Sequence, residues 1–290
     1  MLELPHASAS GGEWAWSCNS TVHARSAREH ASTVLPMLRA CGFVAVQAVF
    51  SPALIAKLAR AYATLDRSTL AASALLNGRH EYLLPFQPPF NEEWLLRDPL
   101  LFHVASAYLG EPTLDALTVI LAQAPIGGQV LHRDIHEGPG AALSLQIPLV
   151  DIPPDHGGAL ALQPGTHTTD GHDCDEEAGS LPVGLAAGSV LLYDARACHA
   201  GTANERVLGG RPIMYMLLKR RSTRRTGYEP FELRLRFGEG GLADVAHYRT
   251  AFERSSHCGT NRSDEVLAGD LAAAHSAVPP LVNGRPWYLR

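Results

Sequence analysis

The stretch LPVGLAAGSVLLYDA, residues 181–195, contains a short apolar run bounded by glycine and aspartate. Four similar runs lie between residues 117 and 220: LTVILAQAP (117–125), ALSLQIPLV (142–150), GALALQPGTH (158–167) and RPIMYMLLKR (211–220). Short apolar or alternating segments separated by Gly, Pro and Asp clusters are typical of strands in an all-β sandwich or barrel. We therefore expect a mainly β core.

The residues that precede this core have helical spacing instead. Residues 26–40 and the segment PALIAKLARAYATL (52–65) repeat apolar residues every three or four positions. Ser51 followed by Pro52 is a helix start signal, and a third helix is predicted over Pro99–Leu109, ending at Gly110. The pattern thus predicts helices first and strands afterwards.

This order suggests one catalytic domain over residues 26–290, preceded by an extension over residues 1–25. Within the domain we expect a helical entry (26–112), the β core (113–220) and a C-terminal segment (221–290). The basic run KRRSTRR (219–225) is interpreted as the solvated exit of the last core strand rather than an anion site.

Composition limits the class of partner. The formal net charge of −5 argues against a nucleic-acid or anionic membrane surface, and no apolar run reaches the roughly 18 residues of a membrane span. The N-terminus lacks the pattern of a secretory signal. The five cysteines are scattered and form no C-x-x-C pair, so we expect free thiols in a reducing, cytoplasmic setting, with Cys198 as a buried thiol.

The segment VLHRDIHEGPG (130–140) carries the candidate chemistry. On a strand, His132 and Asp134 share one face, and His199 follows a later strand that a sandwich could bring back across the first. Two imidazoles and one carboxylate leave three octahedral positions open, which suits non-haem Fe(II) and O₂. A keto-acid can take two of them, and its far carboxylate needs a fork of donors such as Arg211, with the Thr202 hydroxyl as a helper.

Other interpretations of the same residues remain open at this point. His136 is predicted to line the pocket near the substrate, and Arg206 is the rival of Arg211 for the keto-acid. A zinc-dependent hydrolase on a cupin-like barrel could use the same ligands. A jelly-roll binding module without turnover is the other alternative, although such a module has no need of a carboxylate beside two imidazoles.

The chain resembles the phytanoyl-CoA dioxygenase family of Fe(II)/2-oxoglutarate oxygenases. The resemblance rests on HRDIH (132–136), GGALALQPGTH (157–167), AAGSVLLYDARACHAGTANERVLGGR (186–211) and GFVAVQAVFSPALIAKLARAYATL (42–65). It implies a double-stranded β-helix, or jelly roll, with helices packed outside. It also implies Fe(II), 2-oxoglutarate and O₂ as reactants, succinate and CO₂ as co-products, and hydroxylation or another oxidation of a small molecule.

Several positions refine this expectation. Family halogenases have a small residue in place of the carboxylate ligand, so Asp134 implies oxygen transfer. Where relatives carry an aromatic residue over the co-substrate, Ile147 is the nearest residue here, and Arg79 or His80 is a candidate second contact for the keto-acid. The expected substrate is a secondary metabolite or an amino-acid-like molecule.

Overall fold

The computed structural model describes residues 18, 21–23, 31–67, 70, 72–75, 79–85, 87–96, 98–135, 138–155, 157–169, 174–205, 210–220 and 235–236. Its four α-helices are α1 (Ala31–Cys41), α2 (Pro52–Thr64), α3 (Glu93–Leu96) and α4 (Pro99–Leu109). Ser51 caps α2 by accepting the Leu54 N–H, and α4 has the predicted bounds and ends at Gly110. No helix in this part of the chain is long and apolar enough to cross a membrane.

The strands form one large and one small sheet. They are β1 (Thr21–His23), β2 (Phe43–Gln47), β3 (Ala72–Leu75), β4 (Arg79–Leu83), β5 (Pro112–Ala122), β6 (Ala142–Pro148), β7 (Leu160–Leu162), β8 (Leu181–Val183), β9 (Val190–Asp194), β10 (His199–Gly201), β11 (Arg211–Arg220) and β12 (Leu235–Arg236). The large sheet has the order β1-β2-β9-β6-β11-β5-β4-β3, with β12 also paired to β5, and the small sheet is β10-β7-β8. The expected mainly β jelly-roll architecture is confirmed.

Alternation along the strands separates two cores. On β11, Met214 and Met216 belong to the core beneath the helices, whereas Ile213 and Tyr215 belong to the core that includes the small sheet. Ile147 of β6 also lies in the helix-side core. Its expected place next to the co-substrate is therefore wrong.

At the exit of the last core strand Lys219 is buried, whereas Arg220 is exposed. β11 continues to Arg220, and the Lys219 ammonium lies 3.3 Å from the Asp115 carboxylate, with both side chains at most 2% exposed. The interpretation of the basic run as a solvated exit is wrong for Lys219, because a carboxylate on the neighbouring strand compensates its charge. Residues 221–225 lie outside the described residues.

The structure also forms two disulfides, Cys18–Cys41 and Cys174–Cys198, with Cα–Cα distances of 5.7 and 5.8 Å. The expectation of free thiols is therefore wrong for these four residues. The two cysteines of each pair are 23 and 24 residues apart in the sequence, respectively. A sequence separation of this size does not show that two cysteines lie close together in the fold.

The Asp115–Lys219 pair provides a test of the core. We expect Asp115→Asn to lower the free energy of unfolding by about 3–5 kcal/mol, because the Lys219 ammonium would lose its carboxylate partner in a buried site. Urea denaturation measures the change. The double variant Asp115→Leu/Lys219→Met should recover most of the loss, and a single variant as stable as the wild type would contradict the expectation.

Candidate metal centre and co-substrate site

A reciprocal main-chain pair brings the two candidate histidines together. The His132 N–H donates to the His199 carbonyl and the His199 N–H donates to the His132 carbonyl, each at 2.9 Å. Both side chains emerge on the same side of this antiparallel pair, and their ring centroids are 4.4 Å apart. The segment that carries His132 and Asp134 is not a regular strand, and this isolated bridge joins it to β10 of the small sheet.

The hydrogen bonds of the two rings select one tautomer. His132 Nδ1 lies 2.9 Å from the Val130 carbonyl, and His199 Nδ1 lies 2.8 Å from the Ala197 carbonyl. A carbonyl can only accept, so each Nδ1 carries a proton, and in the neutral imidazole Nε2 is the nitrogen that has the lone pair. This is the tautomer that a metal ligand requires.

Asp134 completes the set. Its Oδ1 is 3.4 Å from His199 Nε2 and 3.8 Å from His132 Nε2. The three candidate ligand atoms all lie within 4.8 Å of one another. Two neutral nitrogens and one carboxylate oxygen on one side of a cation leave positions for a bidentate acid and for O₂, so the residues present fit non-haem iron.

Charge and burial act in opposite directions at these groups. Burial tends to lower the pKa of His199, but the charge and hydrogen bond of Asp134 outweigh it and the pKa is raised. Burial tends to raise the pKa of Asp134, but His199, His132 and a hydrogen bond from Tyr193 lower it overall. Burial lowers the pKa of His132. The carboxylate is therefore ionised and ready to accept a cation.

Arg211 lies at the start of β11, and its guanidinium is buried. Its side chain is only 3% exposed, and Nε and Nη1 have no hydrogen-bond partner among the residues that the structure describes. Burial and the nearby charge of Arg79 lower the pKa of Arg211 to about 9. A buried cation with unused N–H groups is costly unless an anion binds to it, so this is a site for a carboxylate.

Arg79 on β4 supplies the second positive charge near this position. Its Nη1 donates to the Gly127 carbonyl at 3.1 Å, and its Nη2 donates to the carbonyls of Gly201 and Thr202 at 3.1 and 2.9 Å. Arg79 thus links β4 to the strand segment before His132 and to the end of β10. Its expected contact with the keto-acid stays a prediction.

Two further predicted residues bond to the main chain. The Thr202 hydroxyl donates to the Ala159 carbonyl at 3.0 Å, and its role as a helper of Arg211 stays a prediction. Asn204, in the loop between His199 and Arg211, is buried and donates to the Ala122 carbonyl at 3.0 Å. The predictions for His136 and Arg206 lie outside the described residues.

The sequence patterns did not single out two residues beside the site. Tyr193 on β9 has its ring 5.1 Å from the His199 ring. Arg133, between the two ligands of the H-x-D motif, donates to the carbonyls of Thr166 and Arg196. Alternation along a strand predicts that Arg133 points away from the ligands, but not what it contacts.

The family model described as phytanoyl-CoA dioxygenase (PhyH) matches residues 38–205, more than half of the chain. No curated protein sequence matches the chain.

Solved structures with a similar fold include three bacterial or biosynthetic enzymes. AviO1 from Streptomyces viridochromogenes is 22% identical, with a TM-score of 0.54 over 67% of this chain and 96% of its own. The epimerase SnoN, in complex with Fe³⁺, α-ketoglutarate and nogalamycin RO, is 20% identical, with a TM-score of 0.55 over 74% and 97%. HygX from Streptomyces hygroscopicus, with nickel, 2-oxoglutarate and hygromycin B, is 15% identical, with a TM-score of 0.54 over 66% and 87%.

Metal binding tests the three ligands directly. We expect Asp134→Ala to weaken Co(II) binding, measured by anaerobic titration, by at least about 100-fold, because one of three protein ligands is lost. The matched control is His103→Ala, which removes an exposed histidine of α4. Equal affinities of Asp134→Ala and the wild type would contradict the site.

Proposed function

The chain belongs to the phytanoyl-CoA dioxygenase family, and we propose that His132, Asp134 and His199 hold its catalytic iron. It is a non-haem Fe(II)/2-oxoglutarate-dependent oxygenase, an oxidoreductase that also consumes O₂. The observation that carries the residue assignment is the convergence of two Nε2 lone pairs and one carboxylate oxygen within 4.8 Å. Their Nδ1 hydrogen bonds keep both imidazoles in the required tautomer.

We propose Arg211 as the anchor of 2-oxoglutarate. The buried guanidinium has two N–H-bearing nitrogens without partners, and it lies beside the charge of Arg79. A fork of this kind binds one carboxylate through paired hydrogen bonds, which fixes the direction of the acid. Gly158 leaves room for the guanidinium of Arg211, because a Cβ at residue 158 would lie only 3.2 Å from Arg211 Nε.

Bound iron supplies the activation of O₂, coupled to oxidative decarboxylation of 2-oxoglutarate to succinate and CO₂. The side chains of this chain position the reactants. His199 is buried, whereas the side chains of His132 and Asp134 are 40% and 29% exposed. We therefore expect the substrate to approach from the side of His132 and Asp134, opposite the buried guanidinium.

The proposed substrate is a small organic molecule, and the proposed reaction is hydroxylation or a related oxidation at carbon. Support comes from the fold relatives, of which SnoN and HygX were crystallised with nogalamycin RO and hygromycin B. A product of secondary metabolism is consistent with this. No nucleic acid or membrane partner is proposed. The cytoplasmic location stays a prediction, and a measurement of the location is useful because disulfides such as the two seen here are rare in reducing compartments. The oligomeric state is not part of the proposal.

The two alternative functions are not favoured. A zinc hydrolase has no use for a buried guanidinium such as that of Arg211, whose Nε and Nη1 have no partner among the described residues. A binding module without turnover would be destabilised by the same uncompensated buried charge without any benefit. The metal and the co-substrate distinguish all three functions in one experiment.

Anaerobic protein mixed with Fe(II) and then 2-oxoglutarate tests the function without a known substrate. We expect a visible charge-transfer band that requires both components, followed by succinate release once O₂ and a small-molecule panel are supplied. Tight zinc binding without any band would favour the hydrolase. Absence of both the band and metal binding would favour the binding module.

Arg211→Gln should raise the 2-oxoglutarate concentration needed for half of this band on the order of 100-fold, since two charge-assisted hydrogen bonds of about 1.5 kcal/mol each are lost. Arg39→Gln, which changes an exposed arginine of α1, is the control and should leave the midpoint unchanged. A midpoint unaffected by Arg211→Gln would exclude it as the anchor.

A further inference from the structure

The carboxylate of Asp134 has few hydrogen-bond donors around it. The groups of the described residues that face it are His199 Nε2 at 3.4 Å, His132 Nε2 at 3.8 Å and the hydroxyl of Tyr193, and a histidine Nε2 can donate only while it is protonated. When a metal binds, each histidine Nε2 uses its lone pair for the metal and carries no proton. Of these three groups, only the Tyr193 hydroxyl can then still donate to Asp134.

Tyr193 is held in the interior by the strands around it. It lies on β9, where its main chain pairs with Phe43 on one side and Ser144 on the other. Its side chain is 2% exposed and its ring is 5.1 Å from the ring of His199. A phenol carries its proton at neutral pH, so the Tyr193 hydroxyl can act as a donor there.

Three buried polar side chains, two hydroxyls and one amide, contact the hydroxyl of Tyr193. Ser144, Gln146 and Tyr215 each make a side-chain hydrogen bond to it, and the Ser144 and Tyr215 hydroxyl oxygens are 3.0 Å apart. A phenol has one proton, so when Tyr193 donates it to Asp134 the Tyr193 oxygen can only accept from these neighbours. Either the Ser144 or the Tyr215 hydroxyl is the donor in the hydrogen bond between those two residues, and that hydroxyl has no second proton for Tyr193. The ionised carboxylate therefore sets the direction of the hydrogen bond from Tyr193.

We propose that Tyr193 is the positioning residue of the metal centre: its hydroxyl holds the Asp134 carboxylate in the orientation that binds iron, and Ser144 and Tyr215 hold Tyr193. This rests on the proposed role of Asp134 as a ligand. Outer hydrogen bonds of this kind orient ligating carboxylates, and their loss typically weakens metal binding about 10–100-fold. Phenylalanine at this position would keep the packing and lose only the hydroxyl.

The test is a double-mutant cycle measured by Co(II) titration and by the visible spectrum of the bound ion. Tyr193→Phe should raise the dissociation constant for Co(II) about 10–100-fold and change the spectrum. In an Asp134→Ala background the same substitution should change the constant by less than about twofold, because its target is gone. Tyr62→Phe, which removes the hydroxyl of a buried tyrosine in α2, is the matched control and should have no effect.

The outcomes separate a positioning role from a structural one. A merely structural role would weaken binding equally in both backgrounds and lower the apo-protein thermal midpoint, and that result overturns the proposal. If Tyr193→Phe fails to fold, Tyr215→Phe replaces it, with a several-fold loss of affinity expected only where Asp134 is present.

Failure of the proposed function has a different signature. If Asp134→Ala itself leaves Co(II) binding unchanged, the ligand assignment falls and the Tyr193 proposal falls with it. If Asp134→Ala abolishes tight binding while Tyr193→Phe binds as the wild type does, only the Tyr193 proposal is overturned.

Discussion

The two hydrogen bonds exchanged by the main chains of His132 and His199 are the constraint on which the site depends. They join segments far apart in the sequence and bring both imidazoles to the same side of one strand pair. Each ring then bonds the carbonyl two residues before it, which selects the tautomer. A register shift by one residue would turn either ring to the opposite face and remove the site.

Charge at the candidate site is separated rather than neutralised. Asp134 is ionised next to the two histidines, whereas Arg211 and Arg79 place two guanidiniums on the large-sheet side. In the proposed function, a dicarboxylic keto-acid that binds a cation at Asp134 and the guanidinium of Arg211 would neutralise both. The burial that makes this arrangement unfavourable without ligands also strengthens each interaction when they bind, because little water screens it.

A disulfide and a hydrogen bond at Cys198 hold the start of the strand that carries His199. Cys198 forms a disulfide with Cys174, and its N–H donates to the Thr166 hydroxyl at 2.9 Å. Arg133 donates to the carbonyl of Thr166, so the residue between two metal ligands contacts the same turn. The segment that carries His132 and Asp134 and the strand that carries His199 therefore both bond to Thr166. This shared contact restricts the movement of the three candidate ligands relative to one another.

The sequence by itself determined the strand-rich core after residue 112, the capped start of α2, the bounds of α4 and the candidates His132, Asp134, His199 and Arg211. The predicted order of helices first and strands afterwards is wrong for β1–β4, which lie before or among the helices and join the large sheet. These depend on local spacing and residue chemistry, which a single chain displays. Tertiary structure alone decided which cysteines pair, that Lys219 is buried against Asp115, and that Tyr193 rather than Ile147 lies beside the site. Those outcomes depend on strand register and on which face of the large sheet the helices cover, and both are set by contacts between residues distant in sequence.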